Sequence, residues 1–246
     1  MSLESKFKMN NVLYNINISD IPHHVDCKNV GILLAGGFGN RFSPNIMKQM
    51  YNYNSSPLFL HSLRILVNVL DIVIIVSNSA CYEDIKRHVI DKIYITVNDE
   101  GDRLESIYNA LCFIKNNIKE PISNLIIHDC ARPFINEEHI NTLLNSNTFY
   151  SQYYLKLTNG LLRLNNLNKY EEVDRNEFIE ICTPICVNYK LYEFLFYNYI
   201  KKERRICCEI IPLLDLLKIK YELIEGEYKY IRKITKITDL DIPSSL

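Results

Sequence analysis

The chain alternates short apolar runs with segments of helical period. Val30-Gly31-Ile32-Leu33-Leu34-Ala35 is a run of buried-strand type, and Asp71–Ser77, Ile93–Val97 and Asn124–His128 repeat it with β-branched residues. Between them, Leu58, Leu60, Leu63, Leu66 and Val67 keep one apolar helical face, as do Ile107, Ala110, Leu111 and Ile114. Strand followed by helix, repeated, predicts an α/β fold: a Rossmann-like, mostly parallel sheet with helices on both faces. After Pro133 the rhythm loosens. Residues 150–170 are rich in Tyr, Leu and Asn around Asn159-Gly160, a hairpin dipeptide, so a projecting β-arm is expected there. Helices near 188–201 and 208–219 and strands near 219–224 and 230–235 follow. No repeat or Gly/Ser/Pro linker divides residues 29–246, which read as one domain. Residues 1–28 fit no pattern and stand apart as an N-terminal extension.

Composition narrows the function classes. Of 246 residues, 48% are hydrophobic and 23% charged, with a formal net charge of −1. That balance supports a folded core and gives no basic excess for nucleic acid or an anionic membrane surface. No apolar run approaches the roughly 18 residues of a membrane helix, and the start lacks a signal-peptide core, so a cytoplasmic location is expected. The eight cysteines include no CxxC pair and no zinc spacing with histidine. Most sit in apolar runs, as small core residues of a reducing compartment would.

The chemistry concentrates at strand ends. Three of the seven glycines, Gly36, Gly37 and Gly39, fall within four residues, directly after Ala35 and before Arg41. Such a loop lets backbone amides approach a phosphate, and Arg41 with Lys48 adds two cations, a pattern suited to a triphosphate. A tight turn with a solvated arginine is the alternative. Neither a dinucleotide fingerprint nor a Gly-Lys-Ser/Thr phosphate loop is present. His128-Asp129-Cys130-Ala131-Arg132-Pro133 puts an acid at a strand end, where it could hold Mg²⁺ against phosphates, cap a helix or pair with Arg132. Arg103 and Ser106 mark a helix entry. Asp174-Arg175, Thr183-Pro184 and Arg232-Lys233 would each pass singly as surface polarity.

Taken in order, these segments resemble the cytidylyltransferases that make CDP-methylerythritol from 2-C-methyl-D-erythritol 4-phosphate and CTP, and their relatives that use ribitol 5-phosphate. The shared segments are Ala35–Arg41, Met47-Lys48-Gln49, Arg103 with Ser106, Ile107 and Asn109, His128–Phe134, Val173-Asp174-Arg175, Thr183-Pro184, and Arg232–Thr235 with Asp239-Leu240, spanning roughly residues 29–242. The resemblance implies roles. Arg41 and Lys48 hold the CTP phosphates and the charge developing on the α-phosphate. Ala35, Gly36, Gly37, Gly39, Arg103 and Ser106 meet the nucleotide, and Asp129 binds Mg²⁺. Arg175, Thr183 and Thr158 hold the sugar-alcohol phosphate together with a catalytic Lys233. The arm exchanges with a second copy to form a homodimer. Ala131 and Val173-Asp174-Arg175 lean toward the methylerythritol branch. The chain departs from the family at Met47 (for Pro), Leu157 (for Asp), Ile185 (for Gln), Ile231-Arg232 (for Asn-Ile), Cys207-Cys208 (for Thr-Asp) and a residue deleted before Arg103. These losses leave open a ribitol 5-phosphate enzyme or a catalytically impaired nucleotide binder.

Overall fold

The computed structural model describes residues 27–201 and 210–241. The N-terminal extension, except Cys27 and Lys28, lies outside the described residues, as do Cys207-Cys208 and the first part of the helix expected at 208–219. In chain order the elements are β1 (Lys28–Ala35), β2 (Asn52–Tyr53), β3 (Ser56–Pro57), α1 (Leu58–Val69), β4 (Ile72–Ser77), α2 (Ser79–Lys86), β5 (Ile93–Val97), α3 (Arg103–Asn117), β6 (Ile122–Asp129) and α4 (Glu137–Leu144). Then come β7 (Tyr150–Lys156), β8 (Leu161–Leu164), β9 (Tyr170–Val173), β10 (Ile179–Asn188), α5 (Tyr189–Leu195), α6 (Ile211–Leu216), β11 (Glu222–Glu225) and α7 (Tyr228–Ile231).

Seven strands form the central sheet in the order β11-β7-β10-β6-β1-β4-β5. β6, β1, β4 and β5 run parallel, β10 is antiparallel to both its neighbours, and β11 is parallel to β7. The four parallel strands are those the apolar runs predict. All six residues of β4 are buried, as expected of a strand covered on both faces. Alternate residues of β1 serve two cores. Val30 and Ile32 pack with α3 and α5, while Leu33 and Ala35 pack with α1 and α4. Asp102 caps α3 by accepting from the Leu104 amide at 2.9 Å, and Asn136 with His139 forms a capping box on α4. These caps fix where both helices leave the sheet edge.

The second half departs from the sequence reading in three places. Tyr150–Lys156 is a buried central strand, so the arm begins later, and its hairpin is β8–β9. Asn159-Gly160 leads into that hairpin rather than turning it. The turn lies at 165–169, where Asn168 takes the left-handed conformation (φ 56°) and the Asn165 amide donates to the Lys169 carbonyl. The strand expected at 230–235 is instead the short helix α7 followed by an extended strap. β10 was not anticipated, because Thr183-Pro184 interrupts its apolar run and reads as a turn. The structure accommodates the proline at a register shift between Cys182 and Ile185. Six free cysteines are described, of which Cys81, Cys130, Cys182 and Cys186 are buried. Among the described residues no helix is long and apolar enough to cross a membrane.

Gly226 marks the tightest packing near the strap. A Cβ there would stand 2.2 Å from Ile231 Cδ1 and 3.3 Å from the Tyr153 ring. Ile231 is fully buried and cannot retreat to solvent. Gly226→Ala is therefore expected to destabilise the protein by about 1–3 kcal/mol, read from urea unfolding. An unchanged midpoint would contradict this packing.

Candidate active site

The carboxyl ends of β1, β4, β5 and β6 lie side by side. Leu34 is in register with Asp129, Ala35 with Ser77, and Ser77 with Val97. In sheets of this kind ligands bind beyond those ends. The cavity there measures about 160 Å³, and its lining includes Gly36, Gly37, Gly39, Lys48, Arg103, Ser106, Asp129 and Lys233.

The glycine loop is shaped by contacts that exclude side chains. A Cβ on Gly36 would approach the Ser77 and Asn98 carbonyls at 3.3 and 3.4 Å. Gly39 has φ +66°, and a Cβ there would stand 3.1 Å from Lys48 Cβ. The loop therefore folds directly onto the turn that carries Lys48. Across the mouth, the Phe38 ring covers Gly101, another left-handed glycine (φ +70°).

Asp129 is the electrostatic centre. Lys233 Nζ donates to its Oδ2 at 2.7 Å and Arg103 Nε to its Oδ1 at 3.3 Å. Burial raises the carboxyl's proton affinity. The Arg103 and Lys233 charges, with the Lys233 hydrogen bond, outweigh that effect and hold the group well below the usual carboxylate range. Its amide donates to Thr183 Oγ1 at 3.1 Å, so the buried Thr183 sits behind the carboxylate. Lys48 Nζ donates to the Ile234 carbonyl at 3.0 Å, and burial lowers its pKa from the ordinary lysine value. Arg41 is exposed and does not line the cavity, though its charge lowers the Lys48 pKa further. Cys130 is an inert wall, since burial pushes its thiol up to about 12.

The structure thus brings Gly36, Gly37, Gly39, Lys48, Arg103, Ser106, Asp129 and Lys233 together. Ala35 belongs to the core beneath the loop. Arg175 and Thr158 are elsewhere, at the base of the arm, where the Arg175 guanidinium donates to the Thr158 carbonyl. Arg132 does not pair with Asp129. It turns away to the Ile231 carbonyl and stands 3.6 Å from Glu180. Ser106 is committed locally: its hydroxyl donates to the Asp102 carbonyl at 3.0 Å and accepts from Asn98 Nδ2 at 2.8 Å. Asn98 is a residue that the sequence reading missed. Its position just past the end of β5 was the available signal. Asn78, one residue past β4, was missed likewise; its amide holds the Gly36 carbonyl at 3.2 Å.

Three cations and one carboxylate around a glycine loop make a pocket for a polyphosphate, as in nucleotide-binding α/β enzymes. The chain matches the profile of the IspD family, 2-C-methyl-D-erythritol 4-phosphate cytidylyltransferase, over residues 30–245, and it belongs to that family. A relative of that name from Thermotoga neapolitana is 31% identical over 219 residues, covering 87% of this chain and 94% of its own. One from Clostridium beijerinckii is 28% identical, covering 85% and 93%. Among solved structures, 4-diphosphocytidyl-2C-methyl-D-erythritol synthase from Anaerococcus prevotii superposes with a TM-score of 0.72 at 19% identity, covering 87% of this chain and 93% of that one. The 2-C-methyl-D-erythritol 4-phosphate cytidylyltransferase from Thermus thermophilus gives 0.66 at 16% identity, covering 87% and 96%. At those identities the structures establish the shared fold.

His128 supports the Asp129 turn from behind. It is fully buried, and its Nε2–H donates to the Arg132 carbonyl at 3.1 Å. Burial pushes its pKa from 6.5 down to about 4. A base with a depressed folded pKa stabilises the fold above its unfolded pKa, and that stability is lost as pH falls toward the folded value. Between pH 7 and 5 the protein should lose about 2 kcal/mol of unfolding free energy on this account. His128→Gln keeps a donor and cannot titrate, so its pH profile should be flatter by that amount in denaturant titrations. Coincident profiles would contradict the assignment.

Proposed function

We propose that this chain transfers CMP from CTP to 2-C-methyl-D-erythritol 4-phosphate and releases pyrophosphate. The observation that carries the reading is the convergence of Lys48, Arg103 and Lys233 on one cavity beside the glycine loop, with Asp129 at its centre. The family match and the names of its relatives support the reaction and favour methylerythritol 4-phosphate over ribitol 5-phosphate.

The chemistry asks little beyond positioning and charge. The nucleophile is a phosphate monoester oxygen, already anionic near neutral pH, so no strong general base is needed. Both reactants are polyanions, and the barrier is lowered by aligning them in line and stabilising charge on the α-phosphate. Lys48 is held at the loop by the Ile234 carbonyl, and Arg41 lies near enough for its charge to act on Lys48, so both can meet the triphosphate. Lys233 and Arg103 are neutralised by Asp129 in the ligand-free protein, and binding exchanges that partner for phosphate oxygens. Asp129 is the only carboxylate lining the cavity among the described residues. That donor set fits Mg²⁺, which is bound through one or two carboxylates plus substrate phosphates. Asp129 would hold the ion, which supplies charge neutralisation at the α-phosphate. Thr183 keeps the Asp129 backbone in place by accepting from its amide.

Arg175 and Thr158 reach the acceptor in this reading only from a second copy. The arm is suited to such an exchange. It is a two-stranded hairpin whose Leu162, Leu164, Leu167 and Tyr170 are all exposed, Leu167 at 77% and Tyr170 at 71%. A homodimer that buries these side chains would bring the Arg175 cation to its partner's site.

Pyrophosphate release with CTP, Mg²⁺ and either acceptor tests the reading. The native protein should turn over methylerythritol 4-phosphate. Lys48→Ala should lower kcat by about 10²–10³-fold, the cost of removing one preorganised donor to transition-state charge. Turnover of ribitol 5-phosphate alone would move the acceptor assignment. CTP binding without turnover of either acceptor would identify a nucleotide-binding homologue, and an unaffected Lys48→Ala would refute the mechanism.

A further inference from the structure

Lys233 reaches the cavity from an extended strap, and two buried arginines hold the segment that carries it. Ile231 is locked in the core against Gly226, and Ile234 is locked in a second cluster with Phe42, Leu58 and Leu240. The Ile234 amide donates to the Ala131 carbonyl at 2.7 Å, and the Arg132 guanidinium donates to the Ile231 carbonyl. Only Arg232 and Lys233 lie between those anchors. Arg232 is in extended, polyproline-type backbone (φ −61°, ψ 146°), where successive side chains are turned about a third of a revolution apart. Its side chain goes inward and is 2% exposed, with the guanidinium carbon 4.0 Å from the centre of the Phe134 ring. One of its amino groups donates to the Lys229 carbonyl at 2.8 Å. Lys233 goes the other way, to Asp129. At the position of Arg232 the family pattern has isoleucine, so this stack is a departure particular to this chain.

We propose that Arg232, stacked on Phe134, is the positioning residue that aims Lys233 at the acceptor phosphate. This rests on the reading of Lys233 as an acceptor-binding cation. A buried guanidinium needs partners, and the Phe134 ring face and the Lys229 carbonyl are two that hold it. Those two partners fix how deep the Arg232 side chain sits, and the depth sets the twist of the strap at the next residue. The lysine side chain is long and flexible, so the direction of its backbone decides which oxygen its ammonium reaches. Phe134 follows Asp129 by five residues in the same segment, so the residue that holds the carboxylate and the ring that holds the strap are fixed together.

Steady-state kinetics of Arg232→Ile and Phe134→Leu test the assignment. Each should raise KM for methylerythritol 4-phosphate about tenfold, as a displacement of under an ångström at a binding cation would. KM for CTP should change by less than about twofold, which also reports an intact pocket. In a Lys233→Ala background, Arg232→Ile should add less than about twofold, because the group it aims is gone. If Arg232→Ile does not fold, Phe134→Leu carries the same signature. A rise in acceptor KM for Lys233→Ala with none for Arg232→Ile or Phe134→Leu would overturn the positioning role alone. So would equal shifts in both KM values, or full additivity with Lys233→Ala. An unchanged acceptor KM in Lys233→Ala would overturn the reading of Lys233 and this proposal with it.

Discussion

The site depends on one buried carboxylate and the two cations that keep it charged. Removing Asp129 from water costs several kcal/mol, and that cost is offset only if strong partners are in place. Arg103 and Lys233 supply them from different parts of the fold, one at the start of α3 and the other on the strap after α7. Holding the carboxylate therefore requires the sheet, the helix and the strap to meet at one point. Lys48 is tied into the same arrangement through the Ile234 carbonyl, one residue beyond Lys233. The ion cluster is thus a structural junction that also gathers cations in one cavity.

Much of this was legible in the sequence, for identifiable reasons. The inner parallel strands β1, β4 and β6 are largely buried on both faces, so they appear as apolar runs, and the helices between them keep a single apolar face. The glycine loop stood out because glycine is scarce elsewhere in the chain. Asp129 was conspicuous as an acid at the end of such a run. Its partners were not, since Arg103 and Lys233 lie 26 and 104 residues away. Local reading offered Arg132, three residues on, which the fold instead spends on the Ile231 carbonyl. Long-range pairing of this kind is set by topology and leaves no periodic trace. The same limit hid β10, whose apolar pattern is broken by Thr183-Pro184, and it displaced the start of the arm, because the polar Gln152 and Ser151 are buried in β7.

The departures from the family pattern fall unevenly on this framework. The glycine loop, Lys48 and the Asp129 cluster retain their residues and meet in one cavity. Arg232 replaces an apolar family residue, yet it is buried and partnered, so that change is absorbed by the packing around Phe134. Leu157 lies at the base of the arm, next to Thr158 and away from the cavity. The changes fall both beside the cavity, at Met47 next to Lys48 and just before Arg103, and away from it, at Leu157 in the base of the arm.

In the proposed reaction Asp129 competes with substrate phosphates for the cations of the cavity. Calorimetric titration of CTP into the native protein and Asp129→Asn, with metal removed by EDTA, tests it most directly. The variant should bind metal-free CTP about tenfold more tightly, because a competing negative charge has gone from the cavity that Lys48 and Arg103 line. Equal or weaker binding by Asp129→Asn would contradict it.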